Sequence, residues 1–171
     1  LSKRNKMVAE YLNKKNLGTL LFDLLTEQED KTYSNRFDIE LLSKRLAGAT
    51  GWLENLPTAK ECRIGFFGAS TGAASALQAA AYLPQIGAVV SRGGRPDLAM
   101  KHLVKVKAPT LLIVGGFDYE VLEMNRDAYK QLTCEKKLDV VEGATHLFEE
   151  PGKMEIVSEL AGNWFEKYLR V

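Results

Sequence analysis

Apolar residues follow two patterns along this chain, short continuous runs and longer segments in which they recur every three or four positions. The recurring pattern predicts amphipathic helices, and the short runs predict buried strands. The predicted helices cover residues 7–12, 38–56, 73–83, 96–104, 119–132 and 153–169. The predicted strands cover residues 17–25, 63–67, 86–90, 110–114 and 137–141, with a charged loop at 27–36.

The order of these elements predicts the fold class. Five strands that alternate with helices are typical of an α/β fold, in which helices cover both faces of a mostly parallel sheet. A chain of 171 residues can bury one hydrophobic core, and no internal repeat or linker divides it. We therefore expect residues 1–171 to form a single domain.

Composition and charge exclude several classes of protein. The chain has 46% hydrophobic and 26% charged residues, which is typical of globular proteins. The net charge of +1 and the scattered lysines argue against a nucleic-acid partner. No apolar run approaches the length of a membrane span or a signal peptide, and two cysteines suggest reduced thiols. We expect a cytoplasmic protein without a membrane partner.

A GxSxG motif, Gly68-Ala69-Ser70-Thr71-Gly72, stands directly between a predicted strand and a predicted helix. In such a turn the serine hydroxyl is presented as a nucleophile above the sheet. The glycines are expected to be required because a side chain at either position would collide with its neighbours. The alternative is that Ser70 only caps the following helix.

Asp118 follows the strand that ends in two glycines, Gly115 and Gly116. Ligands of parallel α/β sheets bind beyond the carboxyl ends of the strands. A carboxylate there can orient a histidine and stabilise the imidazolium formed during proton transfer. The alternative is that Asp118 caps the next helix, while Glu120 and Glu123 are weaker candidates because they lie within that helix.

His146 lies just after the last predicted strand and is the candidate base. Histidine suits this task near neutral pH, because a serine hydroxyl needs a base to remove its proton. The other histidine, His102, lies within a predicted helix among lysines and is interpreted as a surface residue. The order Ser70, Asp118, His146 is the order associated with GxSxG. An ordinary loop histidine remains the alternative interpretation.

Arg92 and Arg95 follow the predicted strand at 86–90 and should open toward the same cleft as Ser70. Arginine binds carboxylates and phosphates bidentately, so these residues favour an anionic substrate. Arg92 is the stronger candidate because it is nearer the strand end. The alternative is an arginine that pairs with Asp97 or with an acid at positions 149–150 and only braces the loop.

Four segments resemble the dienelactone-hydrolase-like branch of the α/β-hydrolases, which includes relatives fused to phosphoribosyltransferase-like domains. They are residues 68–74 (GASTGAA), 91–97 (SRGGRPD), 108–116 (APTLLIVGG) and 143–152 (GATHLFEEPG). The resemblance extends over essentially the whole chain. It implies an α/β-hydrolase-type three-layer sandwich with Ser70, Asp118 and His146 at the catalytic positions. Ser70 stands where dienelactone hydrolase itself has a cysteine, and the Thr71 N–H would contact the oxyanion.

The chain departs from this family at its start. Family members have a strand and an HG-type loop before the first helix, and this loop supplies the other oxyanion N–H. Nothing precedes Leu1 here, so we expect a sheet that lacks the N-terminal strands and a domain that is N-terminally incomplete. The absent strand would leave unpaired backbone groups between residues 17–25 and 63–67. We therefore expect residues upstream of Leu1, or a rearranged or swapped strand.

The sequence thus predicts a serine hydrolase that acts on a small ester, thioester or lactone through an acyl-serine intermediate. Neither a metal nor an organic cofactor is implied. The alternative is a non-catalytic binding or accessory domain associated with a phosphoribosyltransferase, since a fold does not establish an activity. The sequence leaves a homo-oligomer open as an alternative to a monomer.

Overall fold

The computed structural model describes all 171 residues. In chain order it contains α1 (Lys3–Lys14), α2 (Glu27–Asp30), a 3₁₀ segment (Tyr33–Phe37), α3 (Ile39–Glu54), β1 (Gly65–Ala69), α4 (Thr71–Tyr82), β2 (Ala88–Arg92), a second 3₁₀ segment (Pro96–Lys105), β3 (Thr110–Gly115), α5 (Tyr119–Gln131), β4 (Lys136–Val141) and α6 (Lys153–Leu169). None of these helices combines the length and the apolar character that crossing a bilayer requires.

The four strands form one sheet in the order β1-β2-β3-β4, and every neighbouring pair is parallel. Each strand joins the next through a helical segment, the arrangement that parallel pairing requires. The predicted α/β class with a parallel sheet is therefore confirmed. All four strands end at the same edge of the sheet, which places the loops after them side by side.

Helices cover both faces of the sheet, and each face has its own hydrophobic core. One core joins Phe66, Val89 and Leu112 to buried residues of α3, α4 and α5. The other joins Val90 and Ile113 to buried residues of α1 and α6. Because strand side chains alternate between faces, residues at even and odd positions of β2 belong to different cores. This alternation also decides on which side of the sheet the candidate site residues lie.

The prediction of a strand at residues 17–25 is wrong. This segment forms no strand and pairs with no part of the sheet, although Leu24 and Leu25 still pack against a hydrophobic core. An apolar run becomes a strand only where a neighbouring backbone completes its hydrogen bonds, and no strand lies beside this one. The outer edge of β1 is likewise unpaired, and a groove of about 1240 Å³ runs along it, lined partly by residues 17–25.

The helix predicted at 96–104 is a 3₁₀ segment, Pro96–Lys105, with a break at Ala99 (φ −120°, ψ 16°). It packs against both α4 and α5. Pro96, Ala99 and Leu103 are buried at spacings of three and four residues, which explains why the apolar pattern predicted a helix. The segment connects β2 to its neighbour β3.

Candidate active site

Ser70 is the single residue between β1 and α4, and its backbone is strained. Its φ of 52° and ψ of −122° lie in a region that residues other than glycine rarely adopt. The turn is held by hydrogen bonds from the Ser70 N–H to the Arg92 carbonyl (3.3 Å) and from the Ala73 and Arg95 N–H groups to the Ser70 carbonyl (both 3.1 Å). The Ser70 side chain does not cap α4, which removes the capping alternative.

The two glycines of the motif have different roles. A Cβ on Gly68 would lie 2.4 Å from the Gly72 carbonyl oxygen and 2.7 Å from the Ala73 Cα, so close packing of β1 against α4 excludes any side chain there. A Cβ on Gly72 would meet nothing within 4 Å. The expectation that both glycines prevent a collision is therefore correct for Gly68 and wrong for Gly72. Gly72 lies beside the open groove along β1, where there is room for a methyl group.

This difference predicts opposite outcomes for two alanine variants. Gly68→Ala should lower the free energy of unfolding by about 3 kcal/mol, since backbone atoms of α4 would have to move. Gly72→Ala, at the second residue of α4, should stay within about 1 kcal/mol of the parent, because alanine favours helix. Urea unfolding of both variants measures the two values. Equal losses in the two variants would contradict this account of the turn.

Asp118 and His146 are in direct contact. Asp118 Oδ2 lies 2.6 Å from His146 Nδ1. Asp118 comes between β3 and α5, and its side chain does not cap α5, so the capping alternative fails here as well. The Asp118 side chain is 13% exposed and that of His146 40%. The largely buried carboxylate can thus accept a hydrogen bond from the Nδ1–H group and leave Nε2 as the basic nitrogen.

Backbone contacts hold the loops of this pair together. The Phe117 N–H donates to the Ala144 carbonyl (3.0 Å), and the Gly116 N–H donates to the Val141 carbonyl (2.9 Å). A Cβ on Gly115 would lie 2.4 Å from the Ala144 carbonyl oxygen. Gly115, the last residue of β3, is therefore needed for close approach to the loop that carries the histidine, whereas a Cβ on Gly116 would meet no atom closer than 3.4 Å.

Glu150 holds the loop that carries His146, a contact that the sequence patterns did not reveal. Both the N–H (3.1 Å) and the hydroxyl of Thr145, the residue before His146, donate to Glu150 Oε1. The hydrogen bond from the Thr145 hydroxyl lowers the pKa of Glu150. Phe148, with φ 56° and 1% exposure, anchors the same loop in the core. Glu150 was predicted only as a possible partner for an arginine, although the nearby threonine is a signal for this contact.

The loop after β2 connects Ser70 to His146. The Arg92 carbonyl accepts from the Ser70 N–H, and a Cβ on the next residue, Gly93, would lie 3.5 Å from His146 Cε1. Gly93 has φ 51°. The carbonyl of the next residue, Gly94, accepts a hydrogen bond from the buried side-chain amide of Asn125 (3.1 Å). The hydroxyl of Ser70 makes no hydrogen bond in this structure. Hydrogen bonds between a nucleophile and its base often form fully only when a substrate is bound.

The two arginines of this loop differ in their surroundings. Arg95 donates to both carboxylate oxygens of Asp97 (2.9 and 2.8 Å), so it forms the brace that the alternative interpretation describes. Arg92 is 5% exposed and contacts no carboxylate. Burial, and then the charge of Arg4, lowers the pKa of Arg92 to about 10. Arg92 therefore remains a buried cation at neutral pH.

The weaker candidates have other partners. Glu123 forms an ion pair with Arg126 on the surface of α5, and Glu120 is exposed. His102 contacts the Tyr82 hydroxyl through Nδ1 (2.9 Å), away from the strand ends. Nowhere do three or more His, Cys, Asp or Glu side chains gather so that they could hold a metal ion.

Thr71 opens α4, so its N–H has no acceptor within the helix. The helix also has a partial positive charge at this end, next to Ser70. Both features stabilise negative charge beside the serine, as a donor to an oxyanion must do.

A parallel sheet with a serine in a strained strand-to-helix turn, followed by an Asp–His pair at two later strand ends, is the architecture of the α/β-hydrolases. The chain belongs to the dienelactone hydrolase family, whose model matches residues 12–169. The resemblance seen in the sequence is thus confirmed at the level of the family.

Relatives of known sequence or structure agree with this assignment. The chain is 54% identical to a dienelactone hydrolase from Anabaena variabilis whose crystal structure superposes with a TM-score of 0.96, covering 99% of this chain and 81% of that one. An esterase domain of a Rhodothermus marinus protein shares the fold at 17% identity, with a TM-score of 0.77 and coverage of 98% and 82%.

Two Mycobacterium tuberculosis proteins named "Putative phosphoribosyl transferase" are 55% identical to the chain over 168 residues, which is 97% of this chain. The chain spans only 38% of the length of these proteins. Their name therefore describes a much longer molecule.

Proposed function

We propose that the chain is a serine hydrolase that cleaves a small ester, thioester or lactone through an acyl-serine intermediate. The observation that carries this proposal is the contact of 2.6 Å between Asp118 Oδ2 and His146 Nδ1, beside the loop that holds Ser70. Membership of a hydrolase family supports the reaction class.

Acylation begins when Ser70 Oγ attacks the substrate carbonyl carbon and His146 Nε2 takes the hydroxyl proton. Asp118 holds the imidazole in the required tautomer and stabilises its positive charge. The Thr71 N–H donates to the developing oxyanion, aided by the N-terminal end of α4. His146 then gives its proton to the leaving alcohol or thiol as the tetrahedral intermediate collapses.

Deacylation repeats the same steps with water. His146 takes a proton from a water molecule, and the resulting hydroxide attacks the acyl carbon. Collapse of the second tetrahedral intermediate releases the carboxylic acid, and the proton returns to Ser70 Oγ. When the substrate is a lactone, the leaving hydroxyl and the acid belong to one product molecule.

The names of the longer relatives favour a second candidate function. The chain would then be a non-catalytic accessory domain associated with a phosphoribosyltransferase, with the cleft used for binding. The two candidates differ in one property, the reactivity of Ser70. Only an activated serine reacts quickly with a fluorophosphonate.

Labelling with a fluorophosphonate probe tests the proposal. The chain should take up one phosphonyl group, and peptide mass spectrometry should place it on Ser70. Ser34→Ala, a change at an exposed serine, serves as the matched control and should label like the parent. Labelling at the slow rate of an ordinary serine, or at a different residue, would favour the accessory domain.

A further inference from the structure

Asn125 is a fully buried residue of α5 that the proposed chemistry leaves unused. It lies in the second turn of the helix and is 0% exposed. Asparagine has a lower helix propensity than leucine, and a buried amide loses its hydrogen bonds to water. An amide at this position therefore needs hydrogen-bond partners within the protein.

The Asn125 side chain has two hydrogen-bond acceptors and leaves its own oxygen unpaired. Nδ2 donates to the Gly94 carbonyl (3.1 Å) and to the Val121 carbonyl of the same helix (2.8 Å). Both partners can only accept, so they fix the amide with its nitrogen toward them. Oδ1 is buried and has no partner, which costs about 1–3 kcal/mol of stability. A leucine would avoid this cost, so the contact with Gly94 is the feature that sets Asn125 apart.

The position of the Gly94 carbonyl depends on Asn125. Gly94 is buried in the β2 loop, residues 93–95, and the Asn125 amide is the only group that donates to its carbonyl. A Cβ on Gly94 would lie 2.1 Å from Ser91 Oγ and 2.6 Å from the Ala73 Cβ, so the loop packs closely against α4. Two successive glycines give the loop more backbone freedom than other residues would. The hydrogen bond from Asn125 to Gly94 is therefore a tether between the β2 loop and α5.

The residues on either side of Gly94 contact the candidate site. The Arg95 N–H donates to the Ser70 carbonyl (3.1 Å). A Cβ on Gly93 would lie 3.3 Å from the His146 carbonyl oxygen and 3.5 Å from its Cε1. A shift of the Gly94 carbonyl would therefore disturb both the turn that holds the serine and the surroundings of the imidazole ring.

We propose that Asn125 is a positioning residue, which holds the β2 loop so that Ser70 Oγ and His146 Nε2 stay within reach of one another during the reaction. α5 begins directly after Asp118, so the tether also links the loop to the helix that follows the acid. The effect on catalysis rests on the proposed function, whereas the tether itself does not. Because Asn125 acts through Gly94 and not on the substrate, it should influence kcat much more than KM.

Asn125→Ser removes the tether and keeps the contact within the helix. The hydroxyls of Thr50 and Ser158 donate to the carbonyl four residues earlier in their own helices, so a serine in place of Asn125 should bond Val121 but not reach Gly94. For p-nitrophenyl butyrate kcat should fall about 10- to 100-fold, since a displacement of about 1 Å at a reacting group can cost about 10²-fold. KM should change less than about 3-fold, and the rate of fluorophosphonate labelling should fall together with kcat.

Ser158→Ala is the matched control for this variant. It removes another buried polar group, whose hydroxyl bonds only within its own helix, on α6. It should lower the free energy of unfolding without changing kcat, because nothing connects it to the β2 loop. A loss of kcat in Ser158→Ala as large as that in Asn125→Ser would refute the positioning role. So would a change of kcat below about 2-fold in Asn125→Ser.

Hydrogen exchange followed by NMR tests the tether apart from the reaction. The Gly93 and Arg95 amides both donate hydrogen bonds within the folded protein, and in Asn125→Ser they should exchange about 10-fold faster than in the parent or in Ser158→Ala. Asn125→Leu, which also removes the tether, should have the same effect and keeps the test available if Asn125→Ser does not fold. Unchanged exchange would refute the tether. Faster exchange in the variants of a parent that hydrolyses no ester would refute only the proposed hydrolase.

Discussion

Ser70→Ala is expected to lower kcat by about 10⁵- to 10⁶-fold, the scale of loss seen when the nucleophile of a triad is removed. Without Oγ no acyl-enzyme forms, and His146 has no proton to accept. Because the Ser70 hydroxyl makes no hydrogen bond and does not cap α4, the free energy of unfolding should change by less than about 1 kcal/mol. Initial rates with p-nitrophenyl butyrate and urea unfolding measure the two effects.

A second variant separates strain from chemistry at the same position. Ser70→Gly should be as inactive as Ser70→Ala but more stable than it by about 1 kcal/mol, because glycine adopts φ 52° without the cost to a side chain. Ser34→Ala should keep full activity. If Ser70→Ala retained more than a tenth of the parental kcat, the nucleophile would have to be another residue.

Asp118→Asn is expected to lower kcat by about 10⁴-fold. An amide in place of the carboxylate can donate to His146 Nδ1, which would move the imidazole proton to Nε2. That nitrogen then cannot accept the proton of Ser70, although the geometry is kept. The side chains are nearly equal in size, so the folded structure should persist, as circular dichroism would show, while the rate of fluorophosphonate labelling should fall together with kcat.

The nearby acids provide the control for this prediction. Glu120→Gln and Glu123→Gln should each keep kcat within about 2-fold of the parent, since neither carboxylate contacts His146. A loss in Glu120→Gln as large as that in Asp118→Asn would mean that the acid of the site had been misassigned.

The residues of the candidate site were predictable because their signals are local. Ser70, Asp118 and His146 each lie within a few residues of the end of an apolar run, and the carboxyl ends of parallel strands share one edge of a sheet. Asp118 and His146, which these signals pair, are in contact although they lie 28 positions apart in the sequence. Glu150 could have been found in the same way, since its partner is only five residues away.

Features that depend on distant partners were not predictable. The run at residues 17–25 has the composition of a strand, but strand formation depends on a neighbouring backbone that the local sequence does not describe. Nothing around Arg92 indicates that Asn5, 87 residues away, would be the only hydrogen-bond partner of its guanidinium group. The motif also treats Gly68 and Gly72 alike, whereas only the structure distinguishes the packed glycine from the open one.

The spread of the candidate site over strand ends couples its chemistry to the folding of the sheet. Ser70 follows β1, Asp118 follows β3 and His146 follows β4, so an intermediate in which β4 is undocked would lack the proposed base. Recovery of activity after dilution from denaturant would thus report the last docking event rather than collapse or helix formation. A reversible inhibitor that contacts all three residues would bind only the folded sheet and would therefore stabilise the fold. At 100 times its Kd, it would add about 2.7 kcal/mol to the free energy of unfolding.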